Sequence, residues 1–360
     1  SEMIRIHNNN AYIADYGNYR VRKIDDNGII TTIAGTDKFN DDGIAASEAR
    51  IELPRNMWMD NNDNLYVADQ NANLVRKIDA NGIITTVAGT GVGGFSGDGG
   101  AATSAQINAP RGVTGDNAGN LYISDRVNQR VRKVDANGII TTVAGTGTAG
   151  YSGDGGAGTS AKVAPYGLTM YGGDLYFTEG DNNVIRKLDV DGDGTISTVA
   201  GTGGDNGFSG DDGAATSAQL YSPTGVAFDS QGNMYIADLY NYRIRKVDTN
   251  GNITTVAGTG TSGYSGDGGD AASAIISSPI NLIVDKADNI LFVQWSSNPA
   301  IRKIWKGSNI ITTVAGTGTA GYTTDITAVD ALLNYPQGLA LDSKGNLFFG
   351  EQGNKMIRKI

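Results

Sequence analysis

Short apolar runs alternate along this chain with turns rich in glycine, asparagine and aspartate. In the segment 110–144, strands are predicted at 113–116, 121–125, 131–135 and 139–144. Asn137-Gly138, between the last two runs, is a signal for a two-residue hairpin. No segment shows a convincing helical period. The pattern therefore predicts a four-stranded antiparallel meander.

The same unit recurs along the whole chain. A phrase close to Ile-Thr-Thr-Val-Ala-Gly-Thr repeats every 54 to 58 residues, with its glycine at Gly35, Gly89, Gly145, Gly201, Gly258 and Gly316. One meander is marginal alone, whereas radial stacking of copies buries both faces. We therefore expect a single all-β domain, 1–360, with a β-propeller fold. Its repeat units are approximately 3–36, 54–90, 110–146, 165–202, 223–259, 279–317 and 336–360.

A second repeated phrase resembles the NHL repeat, in which asparagine precedes an Arg-Lys pair on the third strand. It appears as Asn18…Arg22-Lys23, Asn128…Arg132-Lys133, Asn182…Arg186-Lys187, Asn241…Arg245-Lys246, Asn298…Arg302-Lys303 and Asn354…Arg358-Lys359. The second unit keeps Arg76-Lys77 but has Ala72 in place of the asparagine. The long Gly-Tyr-Ser-Gly-Asp-Gly-Gly-Ala connections also resemble those of bacterial surface proteins and of the teneurin propeller.

The number of blades departs from the six that the resemblance implies. The chain has six copies of the fourth strand but seven Arg-Lys strands. Seven blades need 28 strands, and about 27 are present if Met3 to His7 is a degenerate first strand. Six blades would leave three strands over. Seven blades are favoured, with six as the alternative, and pairing of Ser1–His7 with the last strand is an open possibility for closure.

The regular Arg-Lys pairs have two interpretations. They could form a ring of cations that binds an anion, or each arginine could pair with the acid seven residues earlier, as Arg22 with Asp15 and Arg132 with Asp125. A feature found in nearly every unit usually serves the unit itself. The structural interpretation is preferred.

One hairpin carries a calcium-like spacing. Asp189, Asp191 and Asp193 alternate and are followed by Gly194, with Thr195 and Ser197 beyond them. Carboxylate oxygens at positions 1, 3 and 5 of a tight loop suit Ca²⁺, although the acid expected at position 12 is replaced by alanine. The alternatives are a weak calcium site and a polar turn.

Each long connection also carries an aromatic residue followed by an acid. The aromatics are Phe39, Phe95, Tyr151, Phe208, Tyr264 and Tyr322, and the acids are Asp41, Asp98, Asp154, Asp211, Asp267 and Asp325. These could form a ligand-binding ring on one face. Their regularity favours a structural role, in which each aromatic packs on its own loop and the acid caps a turn.

The sixth unit breaks the pattern. We interpret Trp295 as standing where the other units have an acid, which would leave Arg302 without its usual partner. Gln294 precedes it and Trp305 follows, so a local recognition patch with a tryptophan anchor is one hypothesis. Drift within one blade is the other.

Composition limits the partners. The net charge of −10 argues against nucleic acid. The chain has no run of 18 apolar residues, so no membrane-spanning segment is predicted. The absence of cysteine excludes disulfides and thiolate metal sites and suits a bacterial secreted or cell-surface protein, with a cytoplasmic location also open.

These features predict a non-catalytic binding or scaffold module that recognises protein, peptide or glycan through one loop-lined face. We expect a monomeric domain of a larger protein that needs no cofactor, with calcium as the one candidate. Histidine ligands of the amidating-lyase branch of the family are absent, since His7 is the sole histidine. The alternatives are a calcium-dependent hydrolase or lactonase and an architectural module of an adhesin.

Overall fold

The strands form seven separate antiparallel sheets in a computed structural model that describes residues 3–35, 42–324 and 326–360. In these ranges the helical segments are three-residue 3-10 turns. The fold is therefore all-β, and it is the seven-bladed β-propeller that strand counting favoured. Each sheet is one blade.

Blades 1 to 3 begin the chain. Blade 1 contains β1 (Met3–His7), β2 (Asn10–Asp15), β3 (Arg20–Ile24) and β4 (Ile30–Ala34). Blade 2 contains β5 (Ile44–Ala45), β6 (Pro54–Met59), β7 (Leu65–Asp69), β8 (Leu74–Ile78) and β9 (Ile83–Ala88). Blade 3 contains β10 (Pro110–Gly115), β11 (Leu121–Asp125), β12 (Arg130–Val134) and β13 (Ile140–Ala144).

Blades 4 to 7 follow the same plan. Blade 4 contains β14 (Leu168–Tyr171), β15 (Asp174–Glu179), β16 (Val184–Asp189) and β17 (Ile196–Ala200). Blade 5 contains β18 (Gly213–Ala214), β19 (Pro223–Phe228), β20 (Met234–Asp238), β21 (Arg243–Val247) and β22 (Asn252–Ala257). Blade 6 contains β23 (Pro279–Val284), β24 (Ile290–Gln294), β25 (Ala300–Ile304) and β26 (Ile311–Ala315), and blade 7 contains β27 (Pro336–Leu341), β28 (Leu347–Glu351) and β29 (Met356–Lys359).

The 3-10 turns lie mainly in the connections between blades. They are Tyr16–Asn18, Ala46–Glu48, Ala102–Ser104, Gly158–Ser160, Ala215–Ser217, Leu239–Asn241, Ala271–Ser273 and Ala328–Asp330.

The hairpins between third and fourth strands follow from local turn chemistry. In blade 3, Asp135 Oδ1 accepts hydrogen bonds from the amides of Asn137 and Ile139, both at 2.9 Å. Gly138 supplies the left-handed conformation that the turn requires, with φ of +79°. The Asp-x-Asn-Gly sequence thus sets the register of the two strands it joins.

The long connections that precede blades 2 to 6 pair with the outer edge of the blade that follows. Before blade 3, Ala101 forms a bridge to Ile139, and the amide of Gly99 donates to the carbonyl of Ile140 at 2.8 Å. In blades 2 and 5 the same contact is long enough to form the two-residue strands β5 and β18. The edges of these fourth strands are therefore not left open to other chains.

Two compact units divide the chain. The first comprises 1–177, 187–197 and 342–345, and the second 178–186, 198–341 and 346–360. Within each unit, clusters of buried apolar side chains join consecutive blades, as where Ala68 and Val75 of blade 2 pack with Val113 and Ile123 of blade 3. Side chains from both faces of a blade are buried in this way.

The first and last sheets account for the number of strands in the chain. Met3–His7 is the first strand of blade 1, as expected, and it pairs with β2. In the described residues, the last strand, β29, pairs with β28, and blade 7 has three strands. No helix in the described part of the chain is long and apolar enough to cross a membrane.

Candidate recognition site

A buried ion network joins the second and third strands of a blade. In blade 3, Arg132 Nη1 lies 3.4 Å from Asp125 Oδ2, and both side chains are inaccessible to solvent. In blade 5, Arg245 and Asp238 form the same contact at 3.5 Å. The predicted pairing of each arginine with the acid seven residues earlier is confirmed in these blades.

The asparagine of the repeat completes this network. Asn128 Nδ2 donates to Asp125 Oδ2 at 2.8 Å and to the carbonyl of Gly94 at 2.6 Å. The amide of Asn108 donates to Asp125 as well, at 2.7 Å. One carboxylate thus holds the second strand, the third strand and the incoming connection together.

Desolvation dominates the electrostatics of these acids. Burial raises the pKa of Asp69 and of Asp238 to about 6, although hydrogen bonds and the nearby arginines lower it. The arginines of five blades are fully buried: Arg76, Arg132, Arg186, Arg245 and Arg302. Guanidinium groups in this position serve the blade, because a ligand in solution cannot reach them.

In blades 3 and 5 the acid of the connection is the second partner of the buried arginine. Asp98 Oδ1 lies 2.7 Å from Arg132 Nη2, and Asp98 Oδ2 accepts a hydrogen bond from Thr142 Oγ1 at 2.7 Å. Asp211 makes equivalent contacts in blade 5. The expectation that these acids cap turns is therefore wrong for Asp98 and Asp211, since they tie the connection to the third and fourth strands.

In blade 2 the corresponding acid is Asp42, which pairs with Arg76 at 3.1 Å. The predicted acids Asp41 and Asp325 lie outside the described residues.

The aromatic residues of the connections stack on arginines. The guanidinium carbon of Arg130 lies 3.6 Å from the ring centre of Phe95, and that of Arg243 lies 3.5 Å from the ring centre of Phe208. Tyr264 packs against Arg302 in the same manner, at 4.9 Å.

The remaining connection aromatics differ. Tyr151 donates to Asp154 at 2.9 Å, Tyr322 is more than half exposed, and Phe39 lies outside the described residues. A role of these aromatics in ligand binding stays a prediction.

A cluster of arginine and tyrosine side chains lies in the first unit at positions that do not repeat. Arg55, which follows the proline at the start of β6, has its guanidinium carbon 4.3 Å from the ring centre of Tyr16. Its Nε donates to Gln70, the residue that follows β7.

Blade 3 supplies the other half of this cluster. The guanidinium carbons of Arg111 and Arg126 lie 4.5 Å and 4.3 Å from the ring centre of Tyr166. Arg126 Nη2 also donates to the Tyr166 hydroxyl at 2.8 Å. Ser124 Oγ fixes the Tyr166 backbone by donating to its carbonyl at 2.9 Å.

The first strands of blades 2 and 3 bring the two halves together. The amide of Val113 on β10 donates to Asn56 Oδ1 on β6 at 3.2 Å. We call Tyr16, Arg55, Arg111, Arg126 and Tyr166 the Arg/Tyr cluster. Its five side chains are half-buried.

Comparison with known proteins shows the family. A model of the teneurin NHL domain matches residues 92–152 and 202–265. NHL repeat-containing protein 2 of Gallus gallus is 28% identical over 322 residues, which cover 81% of this chain and 44% of that protein. Teneurin-1 of Mus musculus is 31% identical over 281 residues, covering 68% of this chain but 10% of the teneurin. This chain is an NHL-repeat β-propeller.

The NHL propeller thus spans less than half the length of the curated relatives described here. Among solved structures, it is similar to catalytically inactive virginiamycin B lyase from Staphylococcus aureus with quinupristin, with a TM-score of 0.63. The identity is 17%, and the match covers 99% of this chain and 93% of the lyase. At this identity the likeness shows the fold alone.

Blade 6 of the NHL propeller corrects the register predicted around Trp295. Gln294, the last residue of β24, occupies the place of the acid, because it pairs with Pro279 as Asp238 pairs with Pro223. Arg302 keeps partners: Gln294 Oε1 at 3.1 Å and Asp267 at 2.6 Å. The glutamine replaces the carboxylate without leaving the buried cation unpaired.

The two tryptophans of the predicted patch lie at opposite ends of blade 6. Trp295 follows β24, and Trp305 follows the antiparallel strand β25. Trp295 packs on Tyr335 with ring centres 5.5 Å apart, whereas Trp305 stacks under Lys303 at 4.0 Å. The structure therefore does not join them in one surface.

In the predicted calcium hairpin, two of the carboxylate oxygens accept hydrogen bonds from nearby backbone amides. Asp189 Oδ1 accepts from the amide of Gly192 at 2.7 Å, and Asp193 Oδ1 accepts from the amide of Thr195 at 2.9 Å. In the described ranges, no group of three or more His, Cys, Asp or Glu residues is arranged to hold a metal ion. Calcium binding by Asp189, Asp191, Asp193, Thr195 and Ser197 stays a prediction.

The sequence carries a signal for the Arg/Tyr cluster outside the repeated motifs. Two positions vary from unit to unit while their neighbours repeat: the residue after the acid, or after Gln294 in the sixth unit, and the residue after the proline that opens the first strand of blades 2 to 7. Arginine occupies them at Arg55, Arg111 and Arg126 only. Variation at these two positions inside a fixed framework marks them as the surface peculiar to this propeller.

Proposed function

We propose that this NHL propeller is a non-catalytic binding module that recognises an acidic segment of a partner protein at the Arg/Tyr cluster. The observation that carries the proposal is the concentration of three arginines and two tyrosines on blades 1 to 4 of a chain whose net charge is −10. Arginine and tyrosine are enriched at interface hot spots, because they combine large contact areas with directed hydrogen bonds.

Charge complementarity selects the partner. The rest of the surface repels acidic chains, so an acidic segment gains affinity where the local charge is positive. Guanidinium groups donate paired hydrogen bonds to carboxylates, and the stacking on Tyr16 and Tyr166 holds them ready. Glycan binding through the connection aromatics has weaker support, since Phe95 and Phe208 are already covered by arginines.

The test is fluorescence anisotropy with a labelled peptide of ten Glu and Asp residues, compared with the same peptide carrying Gln and Asn. We expect binding of the acidic peptide to weaken with salt and to fall about tenfold or more in Arg111→Glu/Arg126→Glu. Lys286→Glu/Lys344→Glu is the matched control, since it makes the same charge change at exposed turns. Equal losses of peptide affinity in both double variants would mean that binding depends only on the overall charge, which would refute the site.

The wider role follows from the same proposal. As a module within a longer protein, the propeller would act at the cell surface or outside the cell, and could also serve as an architectural unit of an adhesin. Fractionation of the full-length protein with surface proteolysis tests this location. A hydrolase or lactonase role draws no support from the lyase, whose similarity is one of fold.

A further inference from the structure

Arg5, on the first strand of blade 1, is the strongest feature that the binding proposal leaves unused. Strand pairing places it opposite Tyr12, the place that Trp58 takes opposite Tyr66 in blade 2. The residues at this position in blades 3 to 7 are Thr114, Thr169, Ala227, Ile283 and Ala340. Arg5 therefore puts a charge at a position that is uncharged in blades 2 to 7.

The side chain at this position packs towards the next blade. In blade 2, the Trp58 ring lies so close to Gly115 on β10 that a Cβ added to this glycine would come within 2.4 Å of it. Arg5 likewise reaches the next blade, where its Nε donates to the carbonyl of Met57 on β6 at 2.9 Å. The guanidinium thus lies between the first strands of blades 1 and 2.

No carboxylate balances the Arg5 guanidinium in the part of the chain that the structure describes. Its bond to Met57 is the only hydrogen bond that the side chain makes there. Burial lowers the pKa of Arg5, and no neighbouring acid raises it again. Arg132, by contrast, has two carboxylate partners. Arg5 is thus a partly buried cation without the partners that such cations usually have.

The two terminal nitrogens are the free part of this group. Because Nε is bonded to Met57, Nη1 and Nη2 remain as a parallel pair of donors, and the half-buried side chain leaves them accessible to solvent. Such a pair matches two oxygens of a carboxylate or a phosphate, whereas a halide offers a single contact point.

The incoming connection of a blade is bonded at a different place. In blades 2 and 3 the amides of Leu53 and Asn108 donate to the acid of the second strand at 2.6 Å and 2.7 Å. That acid follows the tyrosine opposite the Arg5 position by three residues, which is about 10 Å along a strand. A connection that enters blade 1 in the same way therefore does not place a carboxylate beside Arg5.

We propose that Arg5 binds a small oxyanion, either a carboxylate or inorganic phosphate, between the first strands of blades 1 and 2. The anion accepts hydrogen bonds from both terminal nitrogens and supplies the negative charge that the surrounding side chains lack. The site shares no residue with the Arg/Tyr cluster, so it stands or falls independently of the acidic-segment proposal.

The test is thermal melting of the whole chain in sodium phosphate, sodium acetate and sodium chloride at matched ionic strength. We expect phosphate and acetate to raise the melting temperature of the wild type by about 2 °C or more over chloride, in a saturable manner. Arg5→Met should lose this difference, and Arg5→Lys should lose most of it because lysine keeps the charge without the paired donors. Arg50→Met is the matched control, since Arg50 is exposed and pairs with Glu52, and it should respond like the wild type.

The chloride series also checks that the variant folds. Arg5→Met should melt no lower than the wild type in chloride, because it removes a cation that has no partner. General stabilisation by phosphate acts on every variant alike, so it cancels in the comparison.

Nitrogen-15 NMR provides a direct readout of binding. The Nε–H resonance of Arg5, identified by its absence from Arg5→Met, should shift and saturate as phosphate is added, and Arg111→Glu/Arg126→Glu should leave this shift unchanged. An unshifted resonance, equal melting responses of the wild type and Arg5→Met, or chloride as effective as phosphate would overturn the proposal. A response kept in Arg5→Met but lost in Arg111→Glu/Arg126→Glu would place the oxyanion at the Arg/Tyr cluster and equally overturn it.

Discussion

Removal of the buried carboxylate Asp125 should destabilise the protein far more than removal of the half-exposed Asp98, although both contact Arg132. Asp125 and Arg132 are fully buried, whereas the Asp98 side chain is 41% exposed. Asp125→Ala leaves a buried guanidinium short of its inner partner and strips acceptors from Asn128 and from the amide of Asn108. Asp98→Ala removes a contact that solvent already screens.

The expected magnitudes differ by severalfold. Breaking a buried ion pair from one side costs about 3–5 kcal/mol, and an exposed partner contributes about 1 kcal/mol or less. Burial raises the pKa of Asp125, which means that desolvation of the carboxylate outweighs its attraction to Arg132. The cost in Asp125→Ala therefore comes from the stranded cation and amides, and the double variant Asp125→Leu/Arg132→Met should recover most of it.

Urea unfolding at pH 7 measures these differences as shifts of the midpoint at constant slope. The expected order of stability is wild type, Asp98→Ala, then Asp125→Ala, with the double variant above Asp125→Ala. Equal losses for the two single variants, or a double variant below both, would refute the assignment of a structural role to the network.

Three further predictions concern the pH response, the turns and the calcium hairpin. Burial raises the pKa of Asp238 from 3.8 to about 6, so the folded state binds this proton more tightly than the unfolded state. The free energy of unfolding should therefore fall as pH rises from about 4 to about 6. In urea titrations, the free energy of unfolding of Asp238→Asn should depend less on pH. Gly145→Ala places a Cβ 2.2 Å from a backbone carbonyl at φ of +100°, whereas the Cβ of Gly138→Ala meets open space at φ of +79°. Thermal melting should therefore show a loss of stability of about 1 kcal/mol for Gly138→Ala and a clearly larger loss for Gly145→Ala. Calcium binding at Asp189–Asp193 predicts a melting temperature that rises in millimolar calcium and no longer does so in Asp191→Asn; an unchanged melting temperature would refute it.

The sequence was sufficient for the fold because the strand signals are local. Alternation within each run and the Asp-x-Asn-Gly turns define hairpins whose register depends on neighbours, as Asp135 shows. The number of blades then followed from counting strands. The pairing of Arg132 with Asp125 was also visible, because seven residues separate the partners in every regular blade.

Other contacts could not be predicted from the sequence of a single repeat unit. Asp98 reaches Arg132 across 34 residues, from a connection that belongs by sequence to the preceding blade. In blade 6 the spacing between Gln294 and Arg302 is eight residues rather than seven, which shifted the predicted acid position to Trp295. A motif defined by residue spacing does not detect a one-residue insertion in a turn. The strand pairing of Gln294 with Pro279 does detect it.

The repeated contacts also explain where this propeller can differ from its relatives. Acid, arginine and asparagine are held by several hydrogen bonds each in the regular blades, as Asp125, Arg132 and Asn128 show, so a change at these positions costs stability. The residues after the acid and after the proline carry none of these repeated contacts, and there the chain places Arg55, Arg111 and Arg126. Recognition at the cluster should therefore be altered by side-chain substitution without loss of fold.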